Sequence, residues 1–413
     1  MPRARTMKKL FRWGVRLAVL ALTVLFALGG PLPDALAGVI PGLSPLVLAS
    51  NALSRMGWYR GLFWGGPALV VLGLAVWRGR FFCRWVCPAG TVYSIAARRG
   101  GGKRLLRVRV NGILFWSILV GAVLGAPVLL FLDPLSSASR LTPFANGAGT
   151  VATLIPGLVV PAFLLLGLLQ PVVWCSHVCP LGYFFDAVRL KGNGRLHDTE
   201  TRRAVLGGLV LGIPLALLGR TVRVPASKAR PIGAPASPVL PPGADSAERF
   251  AATCSRCYAC INACPTKVIR VKMPTNRPVD QFFLPELDFA RKYPGGQGFC
   301  DEFCTRCTQT CPTGALTPLS EDKKHATQIG VAVVRRDACL AWADHEHCMV
   351  CQEYCPYLAI REDKGPDGIP RPVVDPEICR GCGFCQNQCP AIRDGVAIVV
   401  NGVSRQRQAK DFF

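Results

Sequence analysis

Residues 254–265 read CSRCYACINACP, four cysteines in the spacing C-x2-C-x2-C-x3-C followed by proline. The same spacing returns at residues 379–390. Two related runs lie between them, at residues 300–312 and 339–356, with three and eight residues in their first gap and the same C-x2-C-x3-C-P ending. Sixteen of the twenty cysteines therefore fall into four repeats, and these repeats decide the fold of the second half of the chain.

The spacing of the repeats is that of the bacterial ferredoxin run, in which three sulfurs hold one [4Fe-4S] cluster and the fourth crosses to a partner cluster. Disulfides are the alternative for an exported, cysteine-rich domain, but they do not explain four repeats that each end in proline. We expect four clusters in two pairs. The first motif pairs with the second and the third with the fourth, or the first pairs with the fourth and the second with the third. The predicted ligands are Cys254, Cys257, Cys260, Cys264, Cys300, Cys304, Cys307, Cys311, Cys339, Cys348, Cys351, Cys355, Cys379, Cys382, Cys385 and Cys389.

Short apolar segments rich in β-branched residues flank the motifs at residues 268–271, 331–334 and 396–399. Such segments are typical of short strands. With a short helix expected after each cysteine run, they predict an α+β domain of two ferredoxin-like units over residues 244–413.

The remaining four cysteines form two C-x-x-x-C-P pairs, Cys83 with Cys87 and Cys175 with Cys179. Cysteines four residues apart lie on one side of a helical turn, and the proline discourages the helix from continuing. Together the pairs supply the four thiolates that one more [4Fe-4S] cluster requires. Zinc also accepts four thiolates, and free buried cysteine is a third alternative. The repetition of the whole pattern, including a glycine two residues after each proline, favours the cluster.

The positive charge of the chain is confined to its first half. Residues 1–243 hold 27 Lys and Arg against 5 Asp and Glu, whereas residues 244–413 hold 21 against 20, so nearly all of the net charge of +23 precedes residue 244. Because this charge flanks apolar runs, it predicts cytoplasmic ends of membrane helices, and we expect no nucleic-acid partner.

Five apolar runs predict an α-helical membrane bundle of four to five transmembrane helices. The first run is a retained helix or a cleaved signal, since Ala35-Leu36-Ala37 fits a cleavage site. Nine positive charges and no acid between Arg78 and Arg109 place the cysteine pairs at the cytoplasmic face. The runs are residues 17–32, 62–77, 110–132, 151–173 and 204–218.

Residues 199–220, TETRRAVLGGLVLGIPLALLGR, join the two halves. Arg202 and Arg203 directly before a short apolar run resemble a twin-arginine export signal, and the proline-rich residues 225–242 form a semi-rigid linker. The alternatives are an ordinary fifth helix and an interfacial helix that leaves the second half of the chain in the cytoplasm. The basic residues after Leu218 favour a second half in the cytoplasm. The predicted domains are 1–198, 199–243 and 244–413.

This topology separates the cysteine sites. With the C-x-x-x-C-P pairs at the cytoplasmic face and residues 244–413 outside, about 30 Å of hydrocarbon is expected between them. Either a partner subunit or quinone bridges the gap, or this topology is wrong.

These motifs resemble those of two families. Residues 15–190, with Cys83–Pro88 and Cys175–Pro180, resemble the NapH membrane iron-sulfur proteins linked to periplasmic nitrate reductase, and residues 240–400 resemble the NapG and MauM ferredoxins. The resemblance implies a bacterial inner-membrane protein that oxidises quinol and passes electrons to a periplasmic reductase, with membrane lipid and quinone as partners. The two parts are fused here, whereas in the nitrate system they are separate chains.

A quinol site near Trp58, Tyr59 and Arg60 is a further hypothesis, with interfacial anchoring as the alternative role of these side chains. Two other functions stay open. One is a redox maturation or regulatory factor for a respiratory metalloenzyme, and the other is electron transfer from a cytoplasmic donor to quinone.

Overall fold

The fold is that of a computed structural model of the 413-residue chain. Trp58, Tyr59 and Arg60 and residues 224–235 of the linker lie outside the residues that the structure describes. The described residues are 2–27, 38–54, 62–99, 108–140, 142–145, 149–158, 162, 165, 173–190, 198–223, 236–272, 277–289, 298–391 and 395–410.

The described residues of the N-terminal half, residues 1–243, form mainly helices. Two short non-α helices, a 3-10 helix at Val128–Leu132 and a π-helix at Trp174–Val178, interrupt the α-helices. The α-helices are α1 (Pro2–Ala27), α2 (Val39–Gly42), α3 (Pro45–Leu53), α4 (Leu62–Arg78), α5 (Phe81–Trp85), α6 (Pro88–Arg99), α7 (Asn111–Val123), α8 (Pro134–Ala138), α9 (Thr142–Ala145), α10 (Val151–Gly157), α11 (Pro180–Ala187) and α12 (Asp198–Thr221).

One helix in the described part of the chain is long and apolar enough to cross a membrane. It covers Thr199–Thr221 within α12, with a mean hydropathy of 1.7. The apolar helices Gly65–Arg78 and Asn111–Val123 are shorter. The predicted bundle of four to five transmembrane helices is therefore not confirmed.

The third apolar run, residues 110–132, is not one continuous helix, contrary to the prediction. Helix α7 ends at Val123, and Gly125 then adopts a φ of +75°, a left-handed conformation that glycine reaches without steric cost. The Ala126 amide donates to the Gly121 carbonyl at 2.7 Å, and Pro127 precedes the 3-10 helix. The chain reverses at this turn, and Asp133 comes within electrostatic range of Cys87 and Cys179.

Helix α12 packs lengthwise against α7. A Cβ atom on Gly208 would lie 2.3 Å from Cβ of Trp116, and one on Gly212 would lie 3.0 Å from Cα of Ser117. Small residues four apart let two helix backbones approach closely, as in membrane helix pairs. These two glycines of the apolar run after Arg203 therefore have a packing role.

The two halves are in direct contact through the segment after α8. Ser139 Oγ donates to the Cys257 carbonyl at 2.8 Å, and the buried Arg140 donates from Nε to the Arg256 carbonyl at 3.0 Å and from Nη2 to the Ser255 carbonyl at 3.4 Å. A second contact joins Asn51 Nδ2 to the Thr313 carbonyl at 2.9 Å. The first ferredoxin motif therefore rests on the N-terminal half.

Protein leads from this contact back to the C-x-x-x-C-P pairs. Helix α6, which begins directly after Cys87, packs against α8, and α8 leads into Ser139. Leu135 of α8 shares one hydrophobic cluster with Cys87 and Cys179. Protein therefore connects the two cysteine regions, and the side of the membrane on which each half lies stays a prediction.

In the C-terminal half, residues 244–413, the described residues form short helices and three two-stranded antiparallel sheets, β1 with β2, β3 with β6 and β4 with β5. The predicted strands are confirmed, and β6 is longer than predicted. The helices are α13 (Ala247–Thr253), α14 (Ala259–Asn262), α15 (Arg306–Thr310), α16 (Glu321–Ala326), α17 (Leu340–Ala343), α18 (Val350–Glu353) and α19 (Phe384–Gln388), with a 3-10 helix at Val279–Gln281. The strands are β1 (Ile269–Val271), β2 (Pro285–Leu287), β3 (Thr327–Val334), β4 (Ile360–Lys364), β5 (Pro370–Val374) and β6 (Ile398–Gln408).

The core of the C-terminal half is built around its cysteines. Cysteines of all four motifs share one hydrophobic cluster with aliphatic and aromatic side chains from both ferredoxin units. Val239 and Leu240, at the end of the predicted linker, belong to this cluster, and the Leu287 amide donates to the Val239 carbonyl at 2.8 Å. The last part of the linker is therefore part of the domain rather than a spacer.

Replacing Arg140 with alanine is expected to weaken the contact between the halves. The change leaves two buried carbonyls without their donor, at about 1–3 kcal/mol for each unpaired group. A protease site inserted after Arg230 lets the linker be cut in detergent, after which co-purification of the halves is measured. The R140A halves should separate more readily than the wild-type halves. R109A, which removes an exposed arginine of the same half, is the control. Equal retention in R140A and wild type would contradict this role.

Candidate iron-sulfur sites

The first cysteine set is brought together in the N-terminal half. Cys83 lies within electrostatic range of Cys87, Cys175 and Cys179. We call these four residues the N-terminal site. The two C-x-x-x-C-P pairs, 92 residues apart along the chain (175 − 83), thus converge as predicted.

In each pair the two cysteines are not on one helix, contrary to the prediction. Cys83 lies in α5 and Cys175 in the π-helix, but Cys87 and Cys179 lie in the breaks before α6 and α11. Proline explains this arrangement, because Pro88 and Pro180 cannot donate a helical hydrogen bond and instead occupy the first position of a new helix.

The glycine that follows each pair packs against the first cysteine of that pair. A Cβ atom on Gly90 would lie 2.8 Å from the Cys83 carbonyl oxygen, and one on Gly182 would lie 3.0 Å from the Cys175 carbonyl oxygen. The Gly90 amide also donates to Cys87 Sγ at 3.4 Å. The repeated sequence C-x-x-x-C-P-[AL]-G therefore has a repeated local structure.

Arg80 connects the two pairs, a role that no local sequence pattern indicated. Its Nε and Nη2 atoms donate to the Asp186 carboxylate at 2.8 and 2.6 Å, and Nη1 donates to the Cys175 carbonyl at 3.0 Å. Two parallel hydrogen bonds between a guanidinium and a carboxylate fix both side chains. The pairing could have been suspected only from the scarcity of acids in this half.

The first ferredoxin motif takes its fourth cysteine from the second motif. Cys254, Cys257 and Cys260 interact electrostatically with Cys311, and we call these four residues site 1.

The exchange is reciprocal. Cys264 lines one cavity together with Cys300, Cys304 and Cys307, and these four residues form site 2. The first and second motifs are therefore partners, which was one of the two predicted pairings.

The third and fourth motifs repeat this exchange. Site 3 is a cavity lined by Cys339, Cys348, Cys351 and Cys389.

Site 4 is a cavity lined by Cys355, Cys379, Cys382 and Cys385. In each ferredoxin unit, the proline-linked cysteine of one motif completes the set of the other motif, which is the arrangement expected for paired [4Fe-4S] clusters.

The two ferredoxin units meet at sites 2 and 4. The Cys300 amide donates to the Cys382 carbonyl at 2.9 Å, so a ligand residue of one unit is hydrogen-bonded to a ligand residue of the other. The rings of Phe299 and Phe384 pack beside this contact with a centroid distance of 4.0 Å. Together with the Ser139–Cys257 contact, this gives an order of sites: N-terminal site, site 1, site 2, site 4 and site 3.

Burial makes the free thiols weak acids. It raises the pKa of Cys254 to about 12 and that of Cys257 to about 11. The hydrogen bonds that backbone amides donate to these sulfurs oppose the effect of burial. Because iron binds thiolates, loading the sites must release protons, and the positive iron ions must offset the cost of the buried negative charge.

Buried cations lie beside the sites. Arg256 is 3% exposed and donates from Nε to the Phe282 carbonyl at 2.9 Å, and its charge lowers the pKa of Cys254 against the larger effect of burial. Arg140 acts in the same direction on Cys257. For Lys324, burial would lower the pKa, but the thiolates of site 2 and Cys382 overcome it, so that the pKa is raised.

The donor sets fit [4Fe-4S] clusters. Sites 2, 3 and 4 are cavities that each have four cysteines in the wall, the ligand number of such a cluster. Among the described residues, no three His, Cys, Asp or Glu side chains converge closely enough to hold a single metal ion. Sites 2, 3 and 4 each leave a cavity between their four cysteines, as a group larger than one ion requires.

Comparison with known families agrees with these donor sets. A family model described as a 4Fe-4S dicluster domain matches residues 346–392, which contain most ligands of sites 3 and 4. A model described as a 4Fe-4S binding domain matches residues 60–107 and again residues 151–197. The second model thus finds both C-x-x-x-C-P pairs of the N-terminal site.

Several relatives match part of the chain. The methylamine utilization ferredoxin-type protein MauM of Methylophilus methylotrophus is 34% identical over 165 residues, 37% of this chain and 67% of that protein. The ferredoxin-type protein NapF of Escherichia coli K12 is 30% identical over 152 residues, 37% of this chain and 80% of NapF. The chain belongs to this family of MauM- and Nap-type ferredoxin proteins. NapG of the same strain is 29% identical over 217 residues, 49% of this chain and 85% of NapG. No solved structure matches.

Membership of the Mau/Nap ferredoxin family confirms the coarse predictions. The protein is an iron-sulfur electron-transfer protein with [4Fe-4S] clusters and ferredoxin-type domains. These relatives cover 37–49% of the chain. The fusion to a NapH-like membrane part remains a prediction.

The crossed ligand sets of this Mau/Nap-type ferredoxin are testable by substitution. Cys311→Ser is expected to remove the cluster of site 1, although Cys311 lies in the second motif, and Cys264→Ser is expected to remove the cluster of site 2. Each variant should lose about four irons, because one cubane holds four. EPR of the reduced proteins should show C311S and C254S losing the same signal, and C264S and C300S losing the other. Loss of the same signal in C311S and C300S would contradict the crossed sets.

Proposed function

We propose that this chain is an inner-membrane electron-transfer protein that oxidises quinol at its N-terminal half and passes the electrons to a periplasmic reductase. The observation that carries the proposal is the unbroken order of cysteine sites from the N-terminal site to site 3. Sites 1 to 4 are joined by exchanged cysteines and by the Cys300–Cys382 hydrogen bond. The N-terminal site is connected to site 1 through α6, α8 and the Ser139–Cys257 contact. An order of this kind suits transfer between two remote reactants, whereas a sensor needs only one cluster.

The chemistry divides between cofactor and protein. When bound, each [4Fe-4S] cluster takes up and releases one electron. Oxidation of one quinol yields quinone, two electrons and two protons, so two one-electron steps are required and both protons must leave to water. The role of the protein is to hold the ligand sets in a fixed spatial order, through the Ser139–Cys257 and Cys300–Cys382 contacts.

The N-terminal half is the proposed place of quinol entry. It contains the candidate membrane span Thr199–Thr221, and the N-terminal site lies among apolar side chains at one end of the order. Site 3 lies at the other end, where residues 343–347 are exposed. A soluble partner would reach site 3 more easily than a lipid-dissolved quinol would. Quinol contact at Trp58, Tyr59 and Arg60 stays a prediction.

Quinol oxidation can be measured on the purified, cluster-loaded protein under anaerobic conditions. Menadiol should bleach the visible absorbance of the wild-type clusters. In Cys179→Ser, which removes a ligand of the N-terminal site, menadiol should reduce the remaining clusters at least about tenfold more slowly, a change of about 1.4 kcal/mol in the barrier. Dithionite should reduce them fully, and Cys348→Ser at site 3 is the matched control.

The other outcomes identify other functions. Equal menadiol rates in C179S and wild type would contradict entry at the N-terminal site. If menadiol reduces nothing but the dithionite-reduced protein reduces menadione, electrons run towards quinone. If neither reaction occurs and a partner metalloenzyme fails to assemble without this chain, the maturation role is supported instead.

The side of the membrane on which the ferredoxin half lies is a separate prediction. A reporter that is active only in the periplasm should be active when fused after Phe413 and inactive when fused after Lys191. Replacing Arg202 and Arg203 with lysine should reduce the first activity, because twin-arginine export reads the arginine pair. Both arginines are exposed in α12, so folding should not be affected. Activity after Lys191 alone would reverse the proposed orientation.

A further inference from the structure

Lys324 is a buried lysine at the junction of the two ferredoxin units. It lies in α16, which begins after the Ser320 cap, and it is 3% exposed. Its Nζ atom donates to the Asp301 carbonyl at 2.9 Å. Lysine is almost never fully buried unless it is paired, so its surroundings must compensate for the lost hydration.

The surroundings of Lys324 belong to two different cysteine sites. Its ammonium interacts electrostatically with Cys300, Cys304 and Cys307 of site 2 and with Cys382 of site 4. The Cys300–Cys382 hydrogen bond lies at the same junction. One positive charge is therefore shared by the two sites that face each other across the units.

A positive charge in this position stabilises an electron that is added to either cluster. A cluster becomes more negative by one unit when it is reduced, and the interaction of that added charge with a buried ammonium is weakly screened. The reduction potentials of iron-sulfur clusters depend on the nearby charge and on the hydrogen bonds to their sulfurs. A cation between two clusters stabilises the reduced form of both.

We propose that Lys324 is a positioning residue whose charge raises the reduction potentials of the clusters at sites 2 and 4 together. Because one charge acts on both clusters, it raises both potentials in the same direction and adds little to the difference between them, so that no large uphill step is created where the electron crosses between the units. The cysteines that act most on this ammonium all belong to sites 2 and 4, so we expect the remaining sites to be affected less. The proposal deepens the proposed function by naming what controls the middle of the electron path, and it rests on that path.

A merely structural role is the competing explanation. Lys324 also fills space and satisfies the Asp301 carbonyl, and either loss could destabilise the fold. Three substitutions separate the roles. Lys324→Met keeps the length and removes the charge, Lys324→Gln keeps a donor and removes the charge, and Lys324→Arg keeps the charge. Lys323→Met is the matched control, since Lys323 is the exposed neighbour on the same helix.

The test is a potentiometric titration of the cluster-loaded full chain, with dithionite as the reductant and EPR as the readout. In K324M and K324Q, the one-electron reduction equilibrium of two clusters should become less favourable by at least about tenfold, which is 59 mV for one electron. The other transitions should not move. K324R and K323M should titrate like wild type, and iron content should be unchanged.

Several results would overturn the proposal. These are unchanged potentials in K324M and K324Q, an equal shift in all clusters, or an equal shift in K324R and K324M. Loss of iron from both neutral variants, with unchanged potentials in the clusters that remain, would show that Lys324 is only structural. The titration uses dithionite and needs no quinol. Failure of the menadiol experiment would therefore leave the potential shifts in K324M and K324Q as expected, so the two failures can be told apart.

Discussion

The exchange of one cysteine between neighbouring motifs is the constraint on which the C-terminal half depends. A site is complete only when a distant motif supplies its fourth sulfur, as Cys311 does for site 1 and Cys355 for site 4. The sheets of this half have only two strands each, so they bury little by themselves. The cysteines fill the core that such small sheets cannot provide. Cluster binding and folding of this half are therefore one process.

Charge is the second constraint. Each oxidised cubane with four thiolates adds about two negative charges to a buried position, which is costly unless cations lie close by. Arg140 and Arg256 lie beside site 1, and Lys324 lies between sites 2 and 4. Arg140 comes from the N-terminal half, so the docking of the halves also supplies part of the compensation at site 1. An isolated C-terminal half would lack that cation.

The sequence predicted the parts of this protein that follow a local spacing rule. The cysteine motifs, the short strands and the family were all found this way, because spacing fixes which atoms can reach one cluster. The reversal at Gly125 was missed because an apolar run looks the same whether it is straight or folded back. Lys324 and the Arg80–Asp186 pair were missed for another reason. Their roles arise from partners far away in the sequence, and no local pattern distinguishes them from exposed charges.

The contacts between sites also decide how electron flow can be controlled. Backbone groups of ligand residues take part in both contacts. The Cys257 carbonyl accepts from Ser139 where the two halves meet, and the Cys300 amide donates to the Cys382 carbonyl where the two ferredoxin units meet. The spacing of sites 2 and 4 is therefore set by the main chain and is insensitive to most side-chain changes, whereas the docking of site 1 on the N-terminal half depends on the Ser139 and Arg140 side chains. Potentials are not fixed in this way, because they respond to single charges near the sulfurs. Related chains could thus keep the same path and reverse its preferred direction by changing a few buried cations.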